Sequence, residues 1–143
     1  MNIIYSPFDE LSPKQLEDMF RLRQQVFIIE QTCFYEDIDG FDDKADHLLF
    51  YEGEKLAAYL RSFSPGVKYD DEASLGRIIV APDFRGTGLG ARLIKKGVEL
   101  CEGAPIRIEA QAGLKEYYNR LGFKEEGGTY IVDDIVHLQM TLT

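Results

Sequence analysis

Apolar residues recur at three- and four-residue spacing in two segments of the chain, and this periodicity predicts two amphipathic helices. The first begins at Ser12-Pro13, where Gln15 completes a capping box, and continues to about Glu30. The second follows a cluster of glycines and ends near Gly103. Arg23 interrupts the apolar stripe of the first helix. We expect its aliphatic stem to lie on hydrophobic surface and its charged head to pair with a carboxylate.

Shorter apolar runs bounded by turn residues predict the strands. These runs are residues 2–6, 47–51, 55–63, 75–81, 106–110, 130–132 and 135–142. A further short helix is predicted over residues 114–121, stopped by Gly122. The chain has no internal repeat, low-complexity tract or interdomain linker. The pattern therefore predicts one α/β (α+β) domain over residues 1–143, with a mixed sheet.

Composition removes several classes of protein. The chain has 143 residues, 45% of them hydrophobic, which is enough for one core without metals or crosslinks. Its net charge of -9 argues against nucleic-acid binding, and no apolar run is long enough to span a membrane. Cys33 and Cys101 match no metal or redox spacing, and the first residues do not resemble a signal peptide. We expect a cytoplasmic protein without a metal.

A cluster of glycines between a strand and a helix is the strongest chemical feature of the sequence. The segment Arg85-Gly86-Thr87-Gly88-Leu89-Gly90 opens the second helix, where unpaired N–H groups and the helix dipole favour an anion. Arg85 adds a cation, Thr87 adds a hydroxyl, and glycines let a pyrophosphate approach. A tight packing turn would use the same glycines.

Two other nucleotide sites fit the glycine cluster less well. A dinucleotide fingerprint has its glycines directly after the strand, with a longer gap before the third, although Glu109 lies at about the distance of a ribose-binding acid. A P-loop ends in Gly-Lys-Ser or Gly-Lys-Thr, whereas Gly90-Ala91-Arg92 follows here. A nicotinamide-dependent oxidoreductase is therefore weakened but remains an alternative.

Two motifs together point to a family. The segment 78–90, Ile-Ile-Val-Ala-Pro-Asp-Phe-Arg-Gly-Thr-Gly-Leu-Gly, resembles the acyl-CoA binding motif of the GNAT superfamily of N-acetyltransferases. The segment 117–123, Tyr-Tyr-Asn-Arg-Leu-Gly-Phe, is similar to that superfamily's tyrosine-containing helix and the Gly-Phe after it. The order and separation of the motifs are more specific than either alone. The resemblance covers essentially the whole chain and implies a twisted, mostly antiparallel sheet of six or seven strands with about four helices.

A third segment resembles the ElaA-like branch of the superfamily. It comprises residues 22–31, followed by Cys33, Tyr35 and 38–40, and the segment 110–112 and His137 agree with it. This resemblance implies acetyl transfer from acetyl-CoA but does not name the acceptor.

The resemblance also implies where the cofactor binds. The strand 75–81 is expected to splay from the strand 106–110, so that backbone groups near Ile78, Ile79 and Val80 pair with the pantetheine arm. The segment 85–90 would hold the pyrophosphate. An amine would then attack the thioester directly, which requires a base for the amine and an acid for the departing thiolate.

Tyr118 is the expected acid, because the family's tyrosine stands at the same distance before the glycine. The base is open. Many family members carry a carboxylate on the strand before the pyrophosphate loop, but residues 75–81 contain none. Glu109 and His137 are the best substitutes, and His47 is a third candidate; the histidine side chain titrates nearest neutral pH.

The acceptor is expected to be a primary amine, and the acidic loop from Glu36 to Asp46 suggests that it is cationic. The same loop could simply be solvated. The protein could be a monomer or a homodimer. Because the strand carboxylate is missing, an acyl-CoA-binding sensor or partner-recognition module without turnover is the alternative to an enzyme.

Overall fold

The computed structural model describes residues 1–143, which form one seven-stranded sheet with helices on both faces. The strands are β1 (Asn2–Pro7), β2 (Asp46–Glu52), β3 (Lys55–Phe63), β4 (Ala73–Val80), β5 (Ile106–Gln111), β6 (Lys124–Val132) and β7 (Ile135–Leu142). Their order across the sheet is β1-β2-β3-β4-β5-β7-β6, and every neighbouring pair is antiparallel except β4 and β5. The predicted mixed, mostly antiparallel sheet is confirmed.

Three α-helices cover the sheet: α1 (Pro13–Arg23), α2 (Leu89–Leu100) and α3 (Lys115–Arg120). The predicted capping box is present, because the Ser12 hydroxyl accepts from the Gln15 N–H and the Gln15 side chain accepts from the Ser12 N–H. The chain stays helical beyond Arg23, but it widens to a π-helix over Gln24–Glu30. A π-helical turn is uncommon and is frequent at functional sites.

The core lies in two layers, one on each face of the sheet. Met19 and Leu22 of α1 pack on Tyr59 and Ile79, while Leu93 belongs to the larger cluster under α2. Successive residues of the central strands alternate between the two layers, as the pleat of a strand requires. The runs 48–51, 56–60 and 78–80 are therefore apolar on both faces, whereas Arg61 and Arg77 interrupt the apolar sequences of β3 and β4.

Helix α2 approaches the sheet closely because Gly97 faces it. A Cβ at this position would stand 3.0 Å from Leu60 Cδ2 and 3.3 Å from Leu75 Cδ1. At the start of α2, beside the end of β4, a Cβ on Gly90 would stand 3.4 Å from Val80 Cγ2, so the helix is close to the sheet at the glycine cluster as well.

The prediction for the sixth strand was wrong at its start. Strand β6 begins at Lys124, not at Tyr130, and its first half is exposed at the edge of the sheet. Its pairing with β7 is irregular between Glu126 and Tyr130, around Gly127 and Gly128. An exposed edge strand with a bulge has no alternating pattern, so the sequence carries no strand signal there. The helices are too short or too polar for any of them to span a membrane.

Candidate functional site

The sheet opens between β4 and β5. These parallel strands pair only at their first residues, Ala73 with Ile106 and Ser74 with Arg107. Beyond this point each strand keeps its other neighbour, β3 or β7, while the two edges facing each other separate. The predicted splay is confirmed. It leaves main-chain groups of β4 without a strand to pair with, which is the geometry that an extended ligand can complete.

A cavity of about 170 Å³ lies at this opening. Its walls include residues of the diverging strands, Leu75 to Ile78 and Ile108 to Gln111. Tyr118 and His137 also line it, so all three candidate catalytic residues, with Glu109, face one space. These residues lie on a short helix and on two separate strands, so only the family resemblance, and no local sequence pattern, indicated that they belong to one site.

The glycine cluster forms an open loop at the end of β4. Gly86 and Gly88 adopt φ angles of 78° and 79°, a left-handed conformation that glycine adopts without steric cost. A Cβ at either position would meet no atom within 4 Å, so the backbone is accessible from outside. The N–H groups of residues 86–91 have no backbone acceptor. This row of donors at a helix N-terminus suits a pyrophosphate.

Two side chains of the loop already have partners. Arg85 donates to both carboxylate oxygens of Glu30, at 2.8 and 2.7 Å, and its Nε donates to the carbonyl of Val80 at 3.2 Å. The Thr87 hydroxyl donates to the carbonyl of Phe84 at 2.7 Å. Thr87 therefore shapes the turn in this conformation, instead of offering its proton to an anion.

The three residues of β4 assigned to the cofactor divide between the two faces of the sheet. Ile78 and Val80 pack against the α2 layer, whereas Ile79 is buried in the α1 layer opposite Tyr59. Only the main chain of Ile79 can therefore reach a ligand in the opening.

Tyr118 is buried among aromatic rings but lines the cavity. Its ring makes edge-to-face contacts with Tyr117 and Phe123, and only 6% of the residue is exposed. Burial, with a smaller contribution from Tyr117, raises the pKa of Tyr118 to about 12. The phenol is therefore protonated at neutral pH, as a proton donor must be. Tyr117 instead places its hydroxyl against Gly90, where an added Cβ would stand 2.8 Å away.

Glu109 and His137 are linked through Tyr130. The Tyr130 hydroxyl donates to Glu109 Oε2 at 2.9 Å, and its ring stacks on the His137 ring at 6.4 Å. His137 Nδ1 lies 2.8 Å from the carbonyl oxygen of Ile135. Because a carbonyl can only accept, Nδ1 must carry the proton, and Nε2 of the neutral ring keeps its lone pair.

His47 does not belong to the site. It is completely buried between β3 and the acidic loop, with Nε2 2.8 Å from the Asp42 carbonyl and Nδ1 2.6 Å from the Tyr59 hydroxyl. Burial lowers the pKa of His47, and both ring nitrogens are satisfied. The sequence could not separate this structural histidine from a catalytic one.

The acidic loop is tied into an ionic network. Three of its carboxylates, those of Asp37, Asp39 and Asp42, pair with three arginines, Arg23, Arg61 and Arg77. The Arg23 prediction is confirmed, with the difference that the whole side chain is buried. Asp37 and Asp42 are buried, whereas Glu36 and Asp43 are exposed, so the loop is solvated only in part. A cationic acceptor stays a prediction.

Several cavity residues were not identified from the sequence. They include Arg61, Lys68, Arg77, Cys33 and Tyr35. Arg77 could have been found from the sequence, because it is the one charged residue in the segment 75–81, where family members often carry a carboxylate. Cys33 donates to the Asp133 carbonyl at 3.0 Å, and burial, with Asp133 and Asp134, raises the pKa of its thiol. This disfavours a thiolate nucleophile.

Comparison with known protein families identifies the class. The model of the acetyltransferase (GNAT) domain matches residues 9–143. The chain therefore belongs to the GNAT acetyltransferase family, which replaces the oxidoreductase alternative and implies an acyl-CoA site.

Its relatives are ElaA-like. Protein ElaA of Escherichia coli is 37% identical over 92% of this chain and 89% of its own length. A UPF0039 protein of Synechocystis sp. is 34% identical over 98% and 94%. The crystal structure of an acyl-CoA N-acyltransferase from Pseudomonas aeruginosa matches over the full length of both chains, with a TM-score of 0.93 and 32% identity.

Proposed function

We propose that this protein is an acetyl-CoA-dependent N-acetyltransferase that acetylates a primary amine by direct attack. The observation that carries the proposal is the cavity at the divergence of β4 and β5, where Tyr118, Glu109 and His137 face one space. A donor thioester laid along β4 and an amine entering the cavity would meet there. Orientation of two bound reactants can supply much of the acceleration.

The cofactor end uses the main chain. The N–H groups of residues 86–91 would bind the pyrophosphate, and the unpaired edge of β4 would hold the pantetheine arm. Acetyl-CoA supplies an activated acetyl group as a thioester. Gly86 and Gly88 fit this role because nothing covers their backbone.

The proton transfers use two side chains at the cavity. His137 Nε2 would take a proton from the acceptor ammonium, and the Tyr118 hydroxyl would give a proton to the departing thiolate. The nitrogen–carbonyl bond forms as the carbonyl–sulfur bond breaks, and the nitrogen then loses a second proton, which restores the Tyr118 hydroxyl. The products are the N-acetylated amine, CoA and the one proton held by His137. Glu109, held by Tyr130, would attract the ammonium before it is deprotonated.

The test is the release of CoA thiol from acetyl-CoA across a panel of primary amines. We expect turnover by the parent protein and a fall in kcat of about 10²-fold or more for Tyr118→Phe and for His137→Gln, with an unchanged Kd for acetyl-CoA. Tyr51→Phe is the matched control, because Tyr51 lies in the other core layer and donates only to Asp18.

Two outcomes would contradict the proposal. Saturable binding of acetyl-CoA without turnover on any amine would favour an acyl-CoA-binding module. Turnover that Tyr118→Phe and His137→Gln leave at the parent rate would refute the assigned proton transfers.

A further inference from the structure

Arg77 occupies a special position in β4. Its register with β3 places two residues, Arg77 and Ile78, opposite the single residue Leu60, which is a β-bulge. Arg77 has a φ of 50°, in the left-handed region that costs a residue with a side chain about 1 kcal/mol or more. A bulge of this kind re-aims a side chain, and such strain is concentrated at functional sites.

The guanidinium of Arg77 is only partly used by the protein. Nε lies 2.8 Å from Asp37 Oδ1, and Nη2 contacts the Asp37 carbonyl at 3.1 Å and Asp39 Oδ2 at 3.4 Å. Nη1 has no partner in the chain, although the side chain lines the cavity and is only 22% exposed. The bulge thus places an arginine at the cavity with Nη1 unpaired, while Nε is in ionic contact with Asp37 without a hydrogen bond.

Lys68 adds a second cation to the cavity that Arg77 lines. The three arginines of the ionic network are balanced by three aspartates, whereas Lys68 lines the cavity and forms no salt bridge. Burial lowers the pKa of Lys68, Glu109 opposes that shift, and Arg61 and Arg77 add to it. The cavity therefore holds a cationic pair, Lys68 and Arg77, together with the acidic and basic groups of Glu109 and His137.

We infer that the acceptor is an amine that also carries a carboxylate, as an α-amino acid does. Arg77 Nη1 and Lys68 would bind the carboxylate, while the ammonium group would lie toward Glu109 and His137. The inference rests on the proposed function and specifies the substrate class of the same site. It replaces a simply cationic acceptor, because the carboxylates of Asp37, Asp39 and Asp42 are already paired with arginines.

The experiment compares amino acids with the amines left by their decarboxylation: alanine with ethylamine, leucine with isoamylamine, and lysine with cadaverine. We expect a higher kcat/KM for the carboxylated member in at least one pair. Arg77→Gln and Lys68→Gln should each reduce that preference by about tenfold to a hundredfold, the range for a hydrogen bond to a charged group. Arg77→Lys should retain part of it.

Lys55→Gln makes the same charge change at the distant β2–β3 turn and should leave the preference intact. The Kd for acetyl-CoA checks that each variant is folded, which matters for Arg77 because it neutralises Asp37. Lys68→Gln leaves the ionic network complete and tests the inference without that complication. Equal or better use of the decarboxylated amines by the parent protein, or a preference that Lys68→Gln and Arg77→Gln leave intact, overturns the inference.

Calorimetry in the presence of CoA separates this inference from the proposed function. If no amine is acetylated, the proposed function fails. Binding of an amino acid that its decarboxylated partner does not reproduce, and that Arg77→Gln weakens at least tenfold, would still support the carboxylate site. Absence of such binding would overturn it.

Discussion

Arg85, the first residue of the glycine loop 85–90, forms a bidentate ion pair with Glu30. The two guanidinium nitrogens lie 2.8 and 2.7 Å from the two carboxylate oxygens, and Arg85 pulls the pKa of Glu30 below its usual value. Glu30 is the last residue of the π-helix that follows α1. The pair therefore connects the π-helix after α1 to the loop that is expected to hold a pyrophosphate. Glu30 competes with the phosphate for Arg85.

Glu30→Gln should tighten acetyl-CoA binding, because the phosphate no longer competes with a carboxylate for Arg85. Both partners are more than a third exposed, so the pair is weak and the gain in affinity should be at most about fivefold. Titration calorimetry of acetyl-CoA measures it, with Glu36→Gln as a control for the loss of one negative charge. A weaker affinity for Glu30→Gln would mean that Glu30 holds Arg85 in its binding position.

Gly88→Ala should damage the cofactor site out of proportion to its effect on folding. Gly88 and Gly103 both have a left-handed φ, 79° and 85°, and open space around the missing Cβ. Alanine at either position should cost about 1–2 kcal/mol of unfolding free energy. Gly88→Ala alone should raise the Kd for CoA, by at least tenfold, since its methyl group blocks approach to the N–H groups.

Denaturant unfolding and calorimetry on the two glycine variants provide the comparison. Equal Kd values in Gly88→Ala and Gly103→Ala would remove the loop from the cofactor site.

His47 should make the fold sensitive to mild acid. Burial holds its pKa below the unfolded value of about 6.5, so the unfolded state binds the proton first as the pH falls. Its contribution to stability is complete above pH 6.5 and is lost as the pH falls toward the folded pKa. Unfolding free energies measured between pH 7.5 and 5 should decline in the parent protein.

His47→Gln tests that assignment. The variant should lose about 1–3 kcal/mol at pH 7.5, because Tyr59 and the Asp42 carbonyl lose well-placed partners. Its stability should then change less between pH 7.5 and 5 than that of the parent. An unchanged pH dependence would show that His47 is not the responsible group.

Local signals in the sequence predicted much of the fold. The capping box at Ser12 and Gln15 and the glycines at the start of α2 act within a few residues, so they can be recognised without tertiary structure. The start of β6 could not be predicted in this way. Its exposed, charged first half is held by pairing with β7, a contact made across the sheet.

The site was predictable where a motif fixes the geometry and not where distant charges meet. Tyr118 follows from its spacing to Gly122. The role of Arg77 depends on a bulge set by β3 and on carboxylates about 40 residues away, such as Asp37. Similarly, nothing near His47 in the sequence shows that its Nδ1 forms a hydrogen bond with the Tyr59 hydroxyl. The single-domain organisation and the oligomeric state remain predictions.

We propose that an acetyl group is transferred to an amine at the opening between β4 and β5. The most direct measurement is mass spectrometry of the products formed from acetyl-CoA with a deuterated acetyl group and an amine that also carries a carboxylate. We expect an N-acetylated amine that contains the whole label, in amounts equal to the CoA released, and little product with Tyr118→Phe. Binding of acetyl-CoA with no labelled amide from any amine would contradict it.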